Sequence, residues 1–289
     1  HRDLHSFPTR RSSDLFTGST ATAHMINRQL AQEHEDIIPL IAETGGQNVM
    51  IVDSSALQEQ VVNDAVYSAF NSAGQRCSAL RVIFVQQDIA ERIIKLLIGA
   101  MQELVVGDPG CYANDIGPLI DQVAVQQVTG HIERMTETAK LHYQLKPGCN
   151  LENGNYLTPC LIEIESLSQL KHEVFGPVLH LIRYPASTLD QVIVDINATG
   201  YGLTLGIHSR LQSTIDQIQQ QVRVGNIYIN RNMIGAVVGA QPFGGMGLSG
   251  TGPKAGGPFY LHRFSCEQTV SCNTTASGGN ASLMARDLR

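Results

Sequence analysis

The chain has 289 residues, of which 43% are apolar and 16% charged, and its net charge is −6. That length supports about two domains with a sizeable core. No Lys/Arg-rich run exists to neutralise phosphates, which argues against nucleic acid as a partner, and no apolar run reaches the ~18 residues needed to span a bilayer.

Residues 1–15 are polar in their middle, at Arg10-Arg11-Ser12-Ser13-Asp14, and have no period. They look like a foreign or disordered leader and are set aside from fold reasoning. Phe16-Thr17-Gly18-Ser19-Thr20 reads as a turn into a helix over 21–32, capped by Ser19 or Thr20. Short apolar runs at 37–42 and 49–52 are of the buried-strand type. Helical spacing follows over 56–73, then a strand over 81–85 and a helix over 89–104, which Gly107-Asp108-Pro109 stops. The pattern continues with a helix over 121–141, strands at 161–164 and 178–182, a helix over 187–198, a strand at 203–208, a helix over 211–222 and a strand at 226–229. Strands separated by helices of this length predict an α/β fold with a mainly parallel sheet. Beyond Gln241 the chain is glycine-rich, and the stretch after Ser277 is expected to be mobile.

Six cysteines stand at 77, 111, 149, 160, 266 and 272, with no CxxC pair and no Cys/His cluster of zinc-ligand spacing, so no metal site is expected. Scattered cysteines in a chain without a secretory signal read as reduced thiols of a cytoplasmic protein. A free cysteine ordinarily packs as a small hydrophobe. Cys77 differs, because Asn71-Ser72-Ala73-Gly74-Gln75-Arg76-Cys77-Ser78 places it in a turn after a helical pattern, beside an arginine that could favour the thiolate. Glu43 lies thirty-four residues earlier, in Ala42-Glu43-Thr44-Gly45-Gly46-Gln47-Asn48. Most glutamates are solvated surface residues, but one at the end of a buried strand before two glycines can enter a cleft. A thiol and such a carboxylate can divide a covalent reaction, the thiol attacking and the carboxylate activating the water that releases product. Three further segments read as ordinary loops on composition alone: Phe16–Thr20, Glu173-Val174-Phe175-Gly176-Pro177-Val178, and Asn230–Gly239 followed by Gln241-Pro242-Phe243-Gly244-Gly245.

Taken together these segments resemble the aldehyde dehydrogenase superfamily, and within it the branch that oxidises L-glutamate γ-semialdehyde; Asn273–Leu283 is similar to the same branch. The resemblance implies an aldehyde dehydrogenase-like fold: a remnant of a Rossmann-type NAD domain over 16–45, a catalytic α/β domain over 46–260, and a C-terminal oligomerisation or flap segment over 261–289. It implies Cys77 as nucleophile and Glu43 as general base. Ser78, Gly235 and Ala236 would hold the substrate carboxylate, which suits small residues that allow close backbone approach, and Phe243 would line the aldehyde's path. Gly18 and Ser19 would face the NAD pyrophosphate at a helix N-terminus, Glu173 would accept from the nicotinamide ribose hydroxyls, and Phe175 would pack near the nicotinamide. The expected partners are a small-molecule aldehyde, further copies in a homo-oligomer, and a proline dehydrogenase domain on the same parent chain. Family members carry roughly another half-domain before the segment matching Phe16, with part of the nucleotide fold and an oxyanion-hole asparagine. The chain is accordingly expected to be a fragment, poorly active by itself. Another aldehyde dehydrogenase specificity, a cofactor-independent cysteine esterase or hydrolase, and a non-catalytic domain remain as alternatives.

Overall fold

The computed structural model describes residues 14–33, 37–148, 151, 154–265 and 267–273. It begins with a small unit in which β1 (Asp14–Thr17), α1 (Thr20–Glu33) and β2 (Leu40–Glu43) follow one another, with β1 and β2 paired in parallel. α1 buries Ala23 and Leu30 with Ile26 beside them, a helical spacing that packs on Leu40, Ala42 and Phe16. β2 starts later than the predicted run. Pro39 has no N–H to donate to a ladder, Ile37 is fully exposed, and the Pro39 carbonyl instead accepts from Asp14. This pairing reaches two residues into the stretch set aside as a leader, since Asp14 and Leu15 lie opposite Leu40 and Ile41. Residues 1–13 and 274–289 lie outside the described residues.

The rest builds a seven-stranded sheet from β3 (Val49–Val52), β4 (Val82–Gln86), β5 (Lys140–Gln144), β6 (Cys160–Glu163), β7 (Val178–Tyr184), β9 (Thr204–His208) and β10 (Asn226–Ile229), in the order β10-β9-β3-β4-β7-β6-β5. Every pairing is parallel except β5 with β6. The helices are α2 (Gln58–Phe70), α3 (Ala90–Gln102), α4 (Gln122–Thr138), α5 (Leu189–Ala198) and α6 (Gln212–Gln221). β3 and β9 are buried along their whole length, which is why β3 reads as an unbroken apolar run rather than an alternating one. α2 turns Val61, Val62, Ala65, Ala69 and Phe70 into the core, and α3 turns Ile93, Ile94, Leu97 and Met101 inward. Two short strands, β8 (Tyr201–Gly202) and β11 (Met246–Gly247), pair antiparallel and tie the glycine-rich segment to the amino end of β9.

One predicted helix is shorter than its pattern. α4 is capped by Asp121, whose side chain accepts from Ala124 N at 2.7 Å, but it ends at Thr138 instead of running to 141. The chain then enters β5, where Leu141 and Tyr143 pair with β6 through a register shift. Edge-strand pairing there outweighs local helix propensity. The fold places its loops in a specific way: the turns holding Cys77, Glu173 and Leu203 all precede strands, and so gather at the amino edge of the large sheet. The carboxyl end of β2, with Glu43, meets that edge.

Candidate active site

The turn before Cys77 is strained. Ser72, Ala73 and Gly74 all have left-handed φ, at 55°, 54° and 68°, a conformation costing roughly 1–2 kcal/mol per non-glycine residue. Several bonds hold it. Gln75 N donates to the Ser72 carbonyl at 3.0 Å, while the Gln75 side chain donates to the Pro118 carbonyl and accepts from Ile120 N at 2.8 Å. Gly74 is obligatory for a second reason, since a Cβ there would sit 2.2 Å from the Gly176 carbonyl oxygen. The Cys77 turn and the Glu173–Pro177 turn are thus pressed together by backbone. Beyond the cysteine, Asn48 Nδ2 donates to the carbonyls of Cys77 (2.6 Å) and Ala79 (2.9 Å), and the Thr204 hydroxyl donates to the Ser78 carbonyl at 3.3 Å.

Arg81 is the cation of this site. It is 1% exposed, donates to the carbonyls of Gly74 (2.5 Å) and Arg76 (3.0 Å), pairs with Glu173 at 2.9 Å, and lies 5.0 Å from the centre of the Phe175 ring. Arg76, which sequence reasoning placed beside the thiol, instead donates from Nε to the Ser72 hydroxyl at 3.0 Å. Cys77 is partly buried, and its thiol is not pre-ionised. Burial and then the negative Glu173 push its pKa up, against the Ser78 and Cys77 backbone amides and Arg81. Glu173 is itself raised by burial, with Arg81 opposing. Its close seat depends on Gly45, where a Cβ would lie 1.7 Å from Glu173 Oε2. Arg81 was not among the candidates read from the sequence; the available signal was an arginine standing directly before the apolar run Val82–Val85.

Glu43 has the opposite surroundings. Both carboxyl oxygens are covered and neither has a hydrogen-bond partner. Burial raises the pKa to about 7, with the Gly245 backbone N–H, which approaches the carboxylate without meeting it at full hydrogen-bond geometry, lowering it. The carboxylate faces Gly244 and Gly250, whose missing side chains leave it room at about 3 Å. Its backbone is pinned from both sides: Gly18 N donates to the Glu43 carbonyl at 3.1 Å, Thr44 N donates to the Ser249 carbonyl at 3.1 Å, and the Thr44 hydroxyl donates to the Leu248 carbonyl at 2.6 Å.

The remaining candidates are distributed around these two. Gly18 and Ser19 stand at the N-terminus of α1, where the Ser19 hydroxyl accepts from Thr22 N at 3.1 Å and the first turn carries no acidic residue. A cavity of about 170 Å³ opens there, lined by Thr20, His24, Thr44 and Leu248 among others. Phe243 is bridged to Ala255. Gly235 has φ 75° and open space around it, and Val238 further along the loop is 98% exposed. Among the described residues no hydrogen bond joins Ser78 to Gly235 or Ala236. Cys77, Cys111, Cys160 and Cys272 are free thiols, and none of the His, Cys, Asp and Glu side chains described form a metal-binding group.

The profile of the Aldehyde dehydrogenase family matches residues 15–270. The chain belongs to the aldehyde dehydrogenase family. Bifunctional protein PutA of Klebsiella aerogenes is 52% identical over 257 residues, covering 86% of this chain and 20% of the relative. Proline utilization A of Bradyrhizobium japonicum superposes with a TM-score of 0.87 at 55% identity, covering 92% of this chain and 27% of that one. A 1-pyrroline-5-carboxylate dehydrogenase from Thermus, solved with bound NAD, superposes with a TM-score of 0.79 at 30% identity, covering 86% and 48%. The chain therefore spans about a fifth of the length of the first curated relative it matches. The aldehyde dehydrogenase fold and the mostly parallel sheet agree with what the sequence predicted.

Proposed function

We propose that this chain carries the thiol and the general base of an NAD-dependent aldehyde dehydrogenase that converts L-glutamate γ-semialdehyde to L-glutamate. The carrying observation is Glu43: a carboxyl group in a glycine-walled niche, its oxygens unpartnered and its pKa near 7, has the surroundings of a proton acceptor in neutral solution. The names of the relatives, proline utilization A and 1-pyrroline-5-carboxylate dehydrogenase, support the substrate. They also support the expectation of a proline dehydrogenase on the parent chain.

In this reading Cys77 Sγ attacks the aldehyde carbon and forms a thiohemiacetal, whose oxyanion the Cys77 backbone N–H can receive. The raised thiol must first lose its proton. Engaging the Glu173 carboxylate with a hydroxyl would ease that loss, because Glu173 is the nearby charge that opposes it. Glu43 then takes a proton from the water that hydrolyses the thioester. NAD, when bound, supplies the oxidation between these two steps. The residues present fit it. The α1 N-terminus presents the positive end of its helix dipole beside Gly18 and Ser19 without a competing acid in its first turn, and Glu173 offers a carboxylate for ribose hydroxyls. Phe175, 42% exposed beside Arg81, is available to pack on the nicotinamide.

The open loop at Gly235 and Ala236, with Ser78, supplies amide and hydroxyl donors for the substrate's carboxylate, and Phe243 the wall of its path. The test is NADH formation by the purified chain given NAD and glutamate γ-semialdehyde, beside Cys77→Ala. Weak turnover by the chain alone, abolished by the substitution, is the expected result. Turnover that survives it would remove Cys77 from the mechanism.

A further inference from the structure

Helix α2 carries a polar row, Gln60, Asp64 and Ser68, spaced four apart and therefore stacked on one face. That row meets the base of the loop bearing Gly235 and Ala236. Gln60 Nε2 donates to the Asn230 carbonyl at 2.6 Å, and Met233 N donates to the Ser68 hydroxyl at 3.0 Å. Between them the Asp64 carboxyl faces Arg231 and the Asn232 amide, and lies 3.7 Å from His208 Nε2. The far side of the loop base is also tied. Asn230, at φ 50°, donates from its backbone to Ile207 O at 2.8 Å, and its side chain exchanges two bonds with the Ser209 backbone at 2.9 and 3.0 Å.

Ser68 has a second duty. It is 0% exposed, and its carbonyl accepts from Leu80 N at 3.0 Å, three residues past the nucleophile. One residue therefore holds the Cys77 segment through its backbone and the loop base through its side chain. The loop is tied and buried at Met233 and Ile234 and open from Gly235 onward. Position at the open end is inherited from the buried end.

We propose that Ser68, assisted by Gln60, is a specificity-determining positioning residue that sets the distance between Cys77 and the amides of Gly235 and Ala236, and so selects aldehydes carrying a carboxylate at the matching reach. This rests on the carboxylate-binding reading of that loop given above. Ser68→Ala removes only the hydroxyl, leaving the Met233 N–H buried without an acceptor. The backbone bond from Leu80 stays. The two sides of the joint can therefore be separated experimentally.

The experiment follows alkylation of Cys77 by iodoacetamide, read from the Cys77 peptide by mass spectrometry, while L-glutamate is titrated in as protectant. Protection of the unsubstituted chain is expected. Ser68→Ala should raise the half-protecting glutamate concentration about tenfold, the worth of one lost hydrogen bond, with the unprotected rate within about twofold of the original. Ser68→Thr, which keeps a hydroxyl, should restore protection. Equal protection of Ser68→Ala and the original chain overturns the inference and leaves the proposed function standing. An unprotected rate shifted as much as the protection overturns it too, since Ser68 would then merely support the turn. Labelling of the original chain that glutamate does not slow refutes the carboxylate reading of the loop and the inference with it. Gln60→Ala, at a partly exposed helical position, removes the donor to Asn230 and should show the same selective loss of protection; it serves if circular dichroism shows Ser68→Ala unfolded.

Discussion

The surroundings of Cys77 and of Glu43 are built on opposite plans. Around the cysteine the backbone is closely held: the turn is strained, its carbonyls accept from Arg81 and Asn48, and the nearby Glu173 carboxylate is paired with a buried guanidinium. Around Glu43 the backbone is pinned but the side chain is left alone, with two covered oxygens and glycines for walls. On the roles proposed above, the difference suits two tasks. A nucleophile must be aimed, so its scaffold is over-determined. A group that takes up and gives away a proton needs a pKa close to the working pH, and an unpartnered, desolvated carboxyl achieves that.

The contrast can be broken most forcefully at Arg81. Arg81→Ala leaves Glu173 buried without its cation and frees the Gly74 and Arg76 carbonyls, so a loss of about 3–5 kcal/mol is expected in urea denaturation. An unchanged midpoint would mean the pair does not hold the turn.

Glu43→Gln attacks the other side. Hydrolysis of p-nitrophenyl acetate separates acylation, a burst, from deacylation, the steady rate. Deacylation should fall about a hundredfold while the burst survives. In the parent chain the steady rate should rise with pH through about 7, because Glu43 accepts a proton only when ionised. Stability should move the other way. The native state keeps a proton that the unfolded chain releases above the ordinary carboxylate pKa of 4.5, so stability falls as pH rises from there to about 7. Glu43→Gln should erase both slopes.

His180 extends the closely held side. Its Nδ1 lies 3.1 Å from the Arg81 carbonyl and its Nε2 lies 2.9 Å from His131 Nε2. Burial, then the neighbouring His131, lowers its pKa to about 3. The unfolded chain takes up a proton below 6.5 that the native state refuses, so this site destabilises as pH falls, by roughly 2 kcal/mol at pH 5. His180→Gln should flatten that part of the acid limb in urea titrations. The smallest effect is expected at Val238, 98% exposed in the open loop. Val238→Ser should change stability by less than about 0.5 kcal/mol in a thermal melt.

The alternation of helices and strands was readable from local pattern, because periodicity and turn residues act over a few residues. So were the candidate groups, Cys77 and Glu43, since each stands in a short distinctive segment. β5 was hidden by a continuing helical propensity, although Leu141, Tyr143 and Leu145 do alternate. The start of β1 at Asp14 was hidden because a four-residue strand shows itself only by its partner.

What the chain alone determined, then, was its inventory: an α/β alternation, a thiol turn, a carboxylate before two glycines, and a loop of small residues. Tertiary structure decided the environments. Arg81 and Glu173 are ninety-two residues apart and meet because β4 and β7 are neighbours, which brings the turns that precede them together. The Glu43 pocket likewise depends on a segment some two hundred residues later, from Gly244 to Gly250. Charge, desolvation and proton affinity are set by what lies within a few ångströms in space, and strand order, not sequence distance, chooses those neighbours.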